Sequence, residues 1–324
     1  MNTTRVPVTL IAAALALGVP IGQPEAGAAT RGFRVYQMNM CMTGSPHYLK
    51  SAKNGRSGSA TCFPNPYVTK DKKGGLHYKA GFAARERKIA GQKRAAVIRQ
   101  IERYTPTAVT LNEVCKYDVN RIVGRLRAAG HAYTFKAHEV DRGRKSHPVR
   151  CSAERGPSVN AIIAHRFVSG SKQGGYFEKN GYRSWLCARV TAGHVRVCTA
   201  HLSGPASHWG GRRHQPIECA KMRRILRSTS RDTVFGGDVN MKRPRQGCDP
   251  SKDWGLQDVD THASARTPRS GLQHIYYSPD FTRGSTCGAV HAVPHTDHKG
   301  FLLDLKPTAH RVRGKACTWR DVKK

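Results

Sequence analysis

The stretch Thr233-Val-Phe-Gly-Gly-Asp-Val-Asn-Met-Lys-Arg-Pro244 is the most informative part of this chain. Its first three residues are β-branched or aromatic and predict a short buried strand. Gly236 and Gly237 follow, where the backbone needs freedom or a close approach. Asp238 and Asn240 then stand one residue apart, so an extended backbone presents both side chains on one side. Such a pair can hold a water molecule or a phosphate oxygen, although an Asp-x-Asn after a strand can also be a turn that caps its own backbone.

Other polar residues stand at or near the ends of further strand-like segments. They are Asn39, Glu113, His201, Asp297 and His298. Strand ends on one edge of a layered sheet meet at one surface, and loops there carry function. Carboxylates beside an Asn form an all-oxygen site suited to Mg²⁺ or Mn²⁺, with Ca²⁺ as an alternative. Two histidines add donors for a phosphoryl oxygen or a base for water, although each position taken alone also has a purely structural explanation.

Hydrophobic periodicity predicts a chain that mixes helices and strands. Helices are expected at Ala83–Tyr104, Asp118–Ala129 and Ile217–Ser228. Strands are expected at Phe33–Met40, Ala108–Val114, Ser158–His165, Leu272–Ser278 and Phe301–Leu305, and a hairpin joins Ser184–Val190 to His194–Ala200. Lys136–Arg155 and Ser203–Gln215 are expected to be loops. No internal repeat is evident.

The chain divides into three parts by composition. Residues 1–29 have a basic start at Arg5, an apolar run over Val8–Pro20 and small residues up to Ala29, which is typical of a secretory signal peptide. Residues 30–306 are expected to form one domain, with a Gly-, Ser- and Lys-rich insertion loop at 41–80, and residues 307–324 form a basic tail tied by Cys317. We therefore expect an exported, extracellular protein, and no stretch is long and apolar enough to span a membrane.

The charge balance indicates a polyanionic partner. The formal net charge is +34, from 55 Lys and Arg residues against 21 Asp and Glu residues. Self-repulsion on this scale costs stability. Nucleic acid is the favoured partner, while an anionic membrane surface, a cell-wall polymer and simple adaptation for solubility remain alternatives. No protein partner is evident, and we expect a monomer.

The ten cysteines predict disulfides, because their number is even and the chain is expected to be exported. Sequence does not determine the connectivity. Pairing of neighbours in order suggests Cys41–Cys62, Cys115–Cys151, Cys187–Cys198, Cys219–Cys248 and Cys287–Cys317. The pair Cys187–Cys198 has the best support, because it flanks the predicted hairpin. A zinc site is disfavoured, since the chain contains no Cys-x-x-Cys pair.

The order of the polar motifs resembles that of the endonuclease/exonuclease/phosphatase superfamily, which has the deoxyribonuclease-I-like fold. The motifs are Met38-Asn39, Leu-Asn-Glu113-Val, Thr-Ala-His201-Leu, Gly-Gly-Asp238-Val-Asn240 and Thr-Asp297-His298. The resemblance covers about Phe33 to Leu305. It implies an α/β fold, a four-layer sandwich of two packed mixed β-sheets flanked by helices, with the site at one end.

The resemblance also implies a role for each motif. Glu113 would be the main Mg²⁺ ligand, with Asn39 and Asp297 close to the metal. Asp238 and Asn240 would orient the attacking water and a phosphate oxygen. His201 would donate to the phosphate. His298 would act as a base or phosphate donor, and the choice of base between Asp238 and His298 stays open.

Three further residues complete the set of candidates. Gln273 stands where the family normally has an Asp that hydrogen-bonds the catalytic His, so we expect a weaker base or a shifted pH optimum, with inactivity as the extreme. Asn160 either contacts phosphate or makes a structural hydrogen bond. Arg212, in the expected loop at 203–215, is a candidate for substrate binding. Asn112 replaces the usual Gln before the Glu, and Thr296 replaces the usual Ser before the Asp-His pair.

The favoured function is a secreted, metal-dependent phosphodiesterase that cleaves DNA or RNA. One alternative is a sphingomyelinase-type phospholipase, for which Trp209 and Trp319 are the only membrane-binding hints. A phosphomonoesterase on the same fold is another. The third, from a different class, is a non-catalytic polyanion binder that lost its base through Gln273.

Overall fold

A computed structural model describes most of the expected domain. The described residues are 32–42, 68–70, 76–78, 81–140, 150–152, 155–178, 183–204, 208–209, 212–227, 232–241, 247–249, 257–258, 272–296 and 298–308. The expected signal peptide, residues 43–67 of the insertion loop, Asp297 and the tail from 309 lie outside them. Among the described residues, no helix combines the length and apolar character that crossing a membrane requires.

The described part of the chain alternates strands and helices. The strands are β1 (Phe33–Asn39), β2 (Val68–Lys70), β3 (Leu76–Tyr78), β4 (Ala108–Cys115), β5 (Thr134–Glu139), β6 (Arg150–Ser152), β7 (Gly156–Ala164), β8 (Gln173–Tyr176), β9 (Ser184–Arg189), β10 (Arg196–Ala200), β11 (His208–Trp209), β12 (Arg212–Arg213), β13 (Thr233–Asp238), β14 (Gln257–Asp258), β15 (Gln273–Tyr277), β16 (Phe281–Ala292) and β17 (Lys299–Pro307). The helices are α1 (Phe82–Tyr104), α2 (Lys116–Ala128) and α3 (His214–Arg227). A 3₁₀ turn lies at Ala192–His194.

The strands form two large mixed sheets within the described residues. The first has the order β16-β17-β1-β4-β7-β5, with β6 also paired to β7, and the second has the order β14-β15-β13-β10-β9-β8. In the first sheet β1 runs parallel to β4, and in the second β10 runs parallel to β13. The carboxyl ends of each parallel pair therefore open on the same edge of their sheet.

Helices cover the outer face of each sheet, which gives four layers. On the first sheet, Tyr36 and Met38 of β1 pack with apolar residues of α1 and α2, including Val97 and Ile122. On the second sheet, outward residues of β13 and β15 pack with α3 through Met222 and Leu226. This arrangement confirms the predicted α/β sandwich.

The layer between the sheets changes character along the strands. At one end the layer consists of apolar side chains, and we call this part the apolar half. Its residues are Phe33, Val35, Ala108, Ile162, Ala164, Leu186, Ala188, Val197, Val234, Ile275, Tyr277, Leu303 and Leu305. At the other end are buried polar residues, the polar half: Gln37, Asn39, Thr110, Asn112, Asn160, Ser184, Thr199, His201, Asp238 and Gln273. Because side chains alternate along a strand, each inward face simply continues from apolar to polar residues.

Three of the predicted disulfides are confirmed. They are Cys115–Cys151, Cys187–Cys198 and Cys219–Cys248. Cys187 and Cys198 face each other directly across the β9–β10 hairpin. Cys41 and Cys287 are also disulfide-bonded, and their expected partners, Cys62 and Cys317, lie outside the described residues.

The structure corrects several expected boundaries. The strand at Thr233 runs through both glycines to Asp238. A Cβ at Gly236 would collide with the Thr110 side chain from the facing sheet, and one at Gly237 with the Ala200 carbonyl oxygen. These glycines therefore allow a close approach of neighbouring backbone and side chains.

The segments expected to be loops contain further strands and one helix start. Within 136–155 lie most of β5 and all of β6, and within 203–215 lie β11, β12 and the start of α3 at His214. The strands β8 and β16 were not anticipated either. Both β5 and β16 are edge strands of the first sheet, and β8 is an edge strand of the second. Edge strands need no continuous apolar face, which removes the pattern that reveals a strand in sequence.

Candidate active site

Five of the predicted site residues converge at the polar end of the sandwich. The Asn39 amide nitrogen donates to Asp238 Oδ2 at 2.8 Å, which joins the ends of β1 and β13 across the two sheets. The same carboxylate oxygen lies 3.8 Å from His201 Nε2 and 3.7 Å from His298 Nε2. Glu113 Oε1 lies 3.3 Å from His201 Nδ1. Asp238, only 1% exposed, is thus the centre of the cluster.

The strands β1 and β13 end in the same way. Asn39 Oδ1 accepts the backbone N–H of Cys41 at 2.9 Å, and Asp238 Oδ1 accepts that of Asn240 at 2.9 Å. Cys41 and Asn240 both have positive φ, 50° and 53°. These turns cap their own backbone, as the alternative interpretation of Asp-x-Asn expected. The turn after β13 uses only Oδ1 of Asp238, so Oδ2 remains directed at the histidines.

Hydrogen bonding fixes the tautomer of His201. Asn240 Nδ2 donates to the Leu202 carbonyl at 2.6 Å and lies 2.9 Å from His201 Nε2. Because the amide nitrogen is a donor, Nε2 must accept, which leaves the ring proton on Nδ1 facing Glu113. Burial, the positive charge of Arg183 and the neighbouring His298 imidazole hold the pKa of His201 well below its usual range. The imidazole is therefore neutral in this arrangement.

Glu113 sits on a β-bulge. The register of β4 against β7 shifts between Leu111 and Val114, so that two residues of β4 oppose one residue of β7. Glu113 is the bulged residue with φ 48°, an unfavourable region for a residue with a Cβ. Its carbonyl accepts the Met42 N–H at 2.8 Å. A bulge re-aims a side chain, and here the Glu113 carboxylate is 23% exposed rather than buried in the strand.

Gln273 supports the site through the backbone. Its amide oxygen accepts the N–H of Asn39, and its amide nitrogen donates to the Lys299 carbonyl at 2.7 Å. It pairs with Asp238 in the sheet register. Among the described residues, Asp238 presents a carboxylate to His298. Asp238 lies on the strand next to Gln273, the position where the resembling family normally has its Asp.

Asn112 bridges the two sheets behind the site. Its amide nitrogen donates to Asn160 Oδ1 at 2.8 Å and Thr199 Oγ1 at 3.1 Å, and its Oδ1 accepts the Asp238 N–H at 3.0 Å. Asn160 in turn donates to the carbonyl and hydroxyl of Ser184. Both asparagines are fully buried. For Asn160 these contacts favour the structural alternative over a phosphate contact.

Two contributors were missed by sequence reasoning. Arg183, just before β9, places a positive charge near His201. Glu218 of α3 accepts the N–H of Ser203 at 2.6 Å and its hydroxyl at 2.7 Å, and thereby holds the segment that follows His201. Burial raises the pKa of Glu218, and Arg183 and the Ser203 bonds oppose this. The sequence offered one indication of Glu218, which is an acidic residue on the face of α3 that packs inward.

Two predicted residues cannot be placed at the cluster. Asp297 lies outside the described residues, although its neighbours Thr296 and His298 lie within them: the His298 N–H donates to Thr296 Oγ1 at 3.2 Å, and Thr296 Oγ1 lies 3.5 Å from the Asn39 carbonyl. Arg212 belongs to β12, which pairs with β11, and its side chain is not described. Both remain predictions.

The described donor set fits a hard cation that keeps most of its water. Glu113 presents a partly exposed carboxylate at the edge of the site. Asn39 is 1% exposed beside it, and its Oδ1 already accepts the Cys41 N–H. No three His, Cys, Asp or Glu side chains of the described residues are grouped to hold a metal. Mg²⁺ is typically bound through one or two carboxylates, with waters and substrate phosphate completing its coordination. A zinc site would need a denser cluster.

Comparison with solved structures identifies the architecture. An endonuclease/exonuclease/phosphatase family protein from Bacteroides thetaiotaomicron matches with a TM-score of 0.55 and 12% identity, covering 85% of this chain and 98% of that one. The catalytic domain of human Nocturnin, with bound sulfate, gives 0.54 and 14%, covering 86% and 94%.

This chain has the deoxyribonuclease-I-like fold.

A mannosyl-6-phosphatase from Bacteroides thetaiotaomicron shares the deoxyribonuclease-I-like fold, with a TM-score of 0.50 and 12% identity over 84% of this chain and 99% of that one. The sequence matches no protein-family model and no curated protein. Identities this low carry the fold and not the substrate. The reaction therefore has to be argued from the side chains of the cluster.

Proposed function

We propose that the protein is an exported, divalent-metal-dependent phosphoric ester hydrolase whose substrate is nucleic acid. The observation that carries the proposal is the convergence on Asp238: one carboxylate oxygen faces Asn39, His201 and His298. A Glu carboxylate stands at the edge of the same cluster. A carboxylate, two histidines and amide donors are the groups that water attack on a phosphorus atom requires.

Glu113 and Asn39 would hold the metal, with Asp297 as the third expected contributor. A bound Mg²⁺ would neutralise charge on the phosphate oxygens in the transition state. The strained backbone at Glu113 supports this role, because strain of this kind clusters at functional sites. The hydrogen bond that Asn39 gives Asp238 would couple the metal ligand to the base.

Asp238 and His298 would handle the proton of the attacking water. Asp238 Oδ1 is committed to the Asn240 N–H, whereas Oδ2 lies between Asn39 and the two imidazoles. A water in line with the phosphorus can lose its proton to Oδ2 or to His298 Nε2, which are 3.7 Å apart. The two groups act as a pair, and Gln273 positions it through the backbone of Asn39.

His201 and Asn240 would bind the phosphate as a coupled unit. In the arrangement described, His201 Nε2 accepts from Asn240. Donation to a phosphate oxygen would require Nε2 to take up a proton from solvent water and to release the amide. Asn240 would then have an N–H available for the same phosphate.

The net charge supports nucleic acid as the substrate class. A charge of +34 attracts a polyphosphate backbone without regard to sequence. Affinity should therefore fall steeply with salt. Lipid phosphodiesters would also satisfy the cluster. Among the side chains whose burial the structure describes, which do not include Trp209, the exposed large apolar ones are Tyr117 and Ile217.

Plasmid nicking by the mature, oxidised protein tests the proposal. Cleavage should require Mg²⁺, stop with EDTA and be lost in Glu113→Gln. The matched control is Glu139→Gln, which removes a half-exposed carboxylate from β5. Equal nicking by Glu113→Gln and wild type would refute the site. No nicking by a folded wild-type protein that binds DNA would refute the nuclease.

A phosphomonoesterase is the second candidate, favoured by the fold shared with a mannosyl-6-phosphatase. Release of inorganic phosphate from sugar phosphates, lost in Glu113→Gln and unaccompanied by nicking, would establish it. Hydrolysis of sphingomyelin vesicles would instead assign the lipid reaction. Polyanion binding with no turnover in Mg²⁺, Mn²⁺ or Ca²⁺ would leave a binding protein.

A further inference from the structure

An exposed tyrosine stands close to the candidate active site. Tyr117 is 41% exposed, the most exposed of the large apolar residues in the described part of the chain. It is the second residue of α2, which follows β4 directly. It stands four positions after Glu113, so their Cα atoms are at most about 14 Å apart. The tyrosine therefore belongs to the same end of the sandwich as the cluster.

Two arginines flank the ring of Tyr117. The guanidinium carbon of Arg94 lies 5.8 Å from the ring centroid, and that of Arg121 lies 5.7 Å from it. Arg121 is on the next turn of the same helix, in the position where side chains four residues apart meet. Arg94 comes from α1. The ring thus has a cation from each of two helices within about 6 Å of its centroid.

The surroundings hold this arrangement in place. Arg94 is paired with Asp118, whose other oxygen accepts from Arg155 at 2.8 and 3.0 Å. Asp118 is fully buried, and Arg155 also contacts Glu86 at 2.7 Å. The Tyr117 N–H donates to the Arg155 carbonyl at 3.4 Å. An ordered aromatic face loses little conformational entropy when it binds a partner.

We propose that Tyr117, Arg94 and Arg121 form a base-binding subsite for single-stranded nucleic acid, a proposal that rests on the function proposed above. The Tyr117 ring stacks on one base, and the guanidinium group of Arg121 binds an adjoining phosphate. Arg94, paired with Asp118, lies beside the ring and supports it. Aromatic side chains beside cations are how proteins bind single strands without sequence preference. The strong positive charge of the chain favours this occupant over an apolar peptide surface.

Binding without hydrolysis tests the subsite. A fluorescent single-stranded oligonucleotide and an abasic strand of equal length are titrated in EDTA, with fluorescence anisotropy as the readout. Wild type should prefer the base-containing strand about tenfold, equivalent to about 1.4 kcal/mol. Tyr117→Ala should bind both strands equally, at the abasic level, while Tyr117→Phe keeps the preference.

Controls separate stacking from charge and from folding. Ile217→Ala removes the other exposed apolar residue, on α3, and should keep the preference. Arg121→Gln should weaken binding of both strands by the same factor, because phosphate is common to both. A preference that survives Tyr117→Ala, or its absence in wild type, overturns the proposal. Because EDTA blocks hydrolysis, this experiment measures binding alone. A negative nicking assay would refute the nuclease without deciding whether the subsite binds a base.

Discussion

The apolar half and the polar half of the layer between the sheets meet between Ile162 and Asn160. These are successive inward positions of β7, and both side chains are fully buried. Ile162 packs among hydrocarbon, whereas Asn160 is held by Asn112 and Ser184. Burial alone therefore does not distinguish core from site. The difference lies in what satisfies each side chain: dispersion and water exclusion on one side, hydrogen bonds on the other.

Substitutions in the apolar half and in the polar half should have different effects. In the apolar half, removing a methyl group should lower the free energy of unfolding and leave the activity unchanged. In the polar half each group positions another, because Asn112 holds the Asp238 backbone and Gln273 holds that of Asn39. A change there should affect both folding and chemistry.

Asp238→Asn should remove roughly a thousandfold of the hydrolytic activity, because the central acceptor of the cluster loses its charge. The amide has nearly the same shape, so the far-UV circular dichroism spectrum should match wild type. The measurement is kcat/KM on an oligonucleotide substrate. A variant within threefold of wild type, about 0.7 kcal/mol, would show that Asp238 is only structural.

Asn112→Ala should lower the free energy of unfolding by about 3 kcal/mol and also reduce activity. It leaves the Asp238 N–H and Asn160 Oδ1 buried without their partner, and each such group costs about 1–3 kcal/mol. Urea unfolding measures the first effect and kcat/KM the second. Loss of stability with full activity would contradict the positioning role of the bridge.

Ile162→Val should lower the free energy of unfolding by about 1 kcal/mol, the usual loss for one buried methyl group. Activity per folded molecule should stay at the wild-type level, because Ile162 lies in the apolar half. This variant is the matched control for the polar half. Reduced kcat/KM in a fully folded sample would mean that the two halves are coupled.

His201 should make stability depend on pH below its ordinary pKa. Its folded-state pKa lies well below 6.5, so below about pH 6.5 the unfolded chain binds a proton that the folded protein does not. The free energy of unfolding should then fall as pH falls, by at most about 1.4 kcal/mol per pH unit. Above this range the His201 contribution is fully present.

Urea unfolding of wild type and His201→Gln in EDTA, at about pH 7 and about pH 5.5, isolates this contribution. The variant should lose less stability on acidification than wild type. His138→Gln is a useful control, since burial also lowers the pKa of His138 but its Nδ1 faces the Glu139 carbonyl rather than the cluster. Identical slopes for wild type and His201→Gln would place the His201 pKa near its ordinary value.

The sequence predicted the central strands well and the edge strands poorly. The strands β1, β4, β7, β9, β10, β13, β15 and β17 all correspond to predicted segments. Three longer missed strands, β5, β8 and β16, are edge strands, where half-exposed polar residues conceal the alternation. The other missed strands, β2, β3, β6, β11, β12 and β14, have only two or three residues each. The helix α3 begins three residues before its predicted start, at His214.

The polar residues at strand ends and their order along the chain could be read from the sequence, because they follow from local patterns and from the rule that strand ends on one edge meet. Pairing neighbouring cysteines in order suggested the three disulfides that the structure confirms, and the resemblance to a known superfamily implied the sandwich. Tertiary structure alone decided which side chains meet. The tautomer of His201, the bulge that turns Glu113 outward and the Asn112 bridge depend on contacts between residues far apart in sequence. A linear pattern records which groups are available, but hydrogen-bond partners are selected by the packing of one sheet on the other.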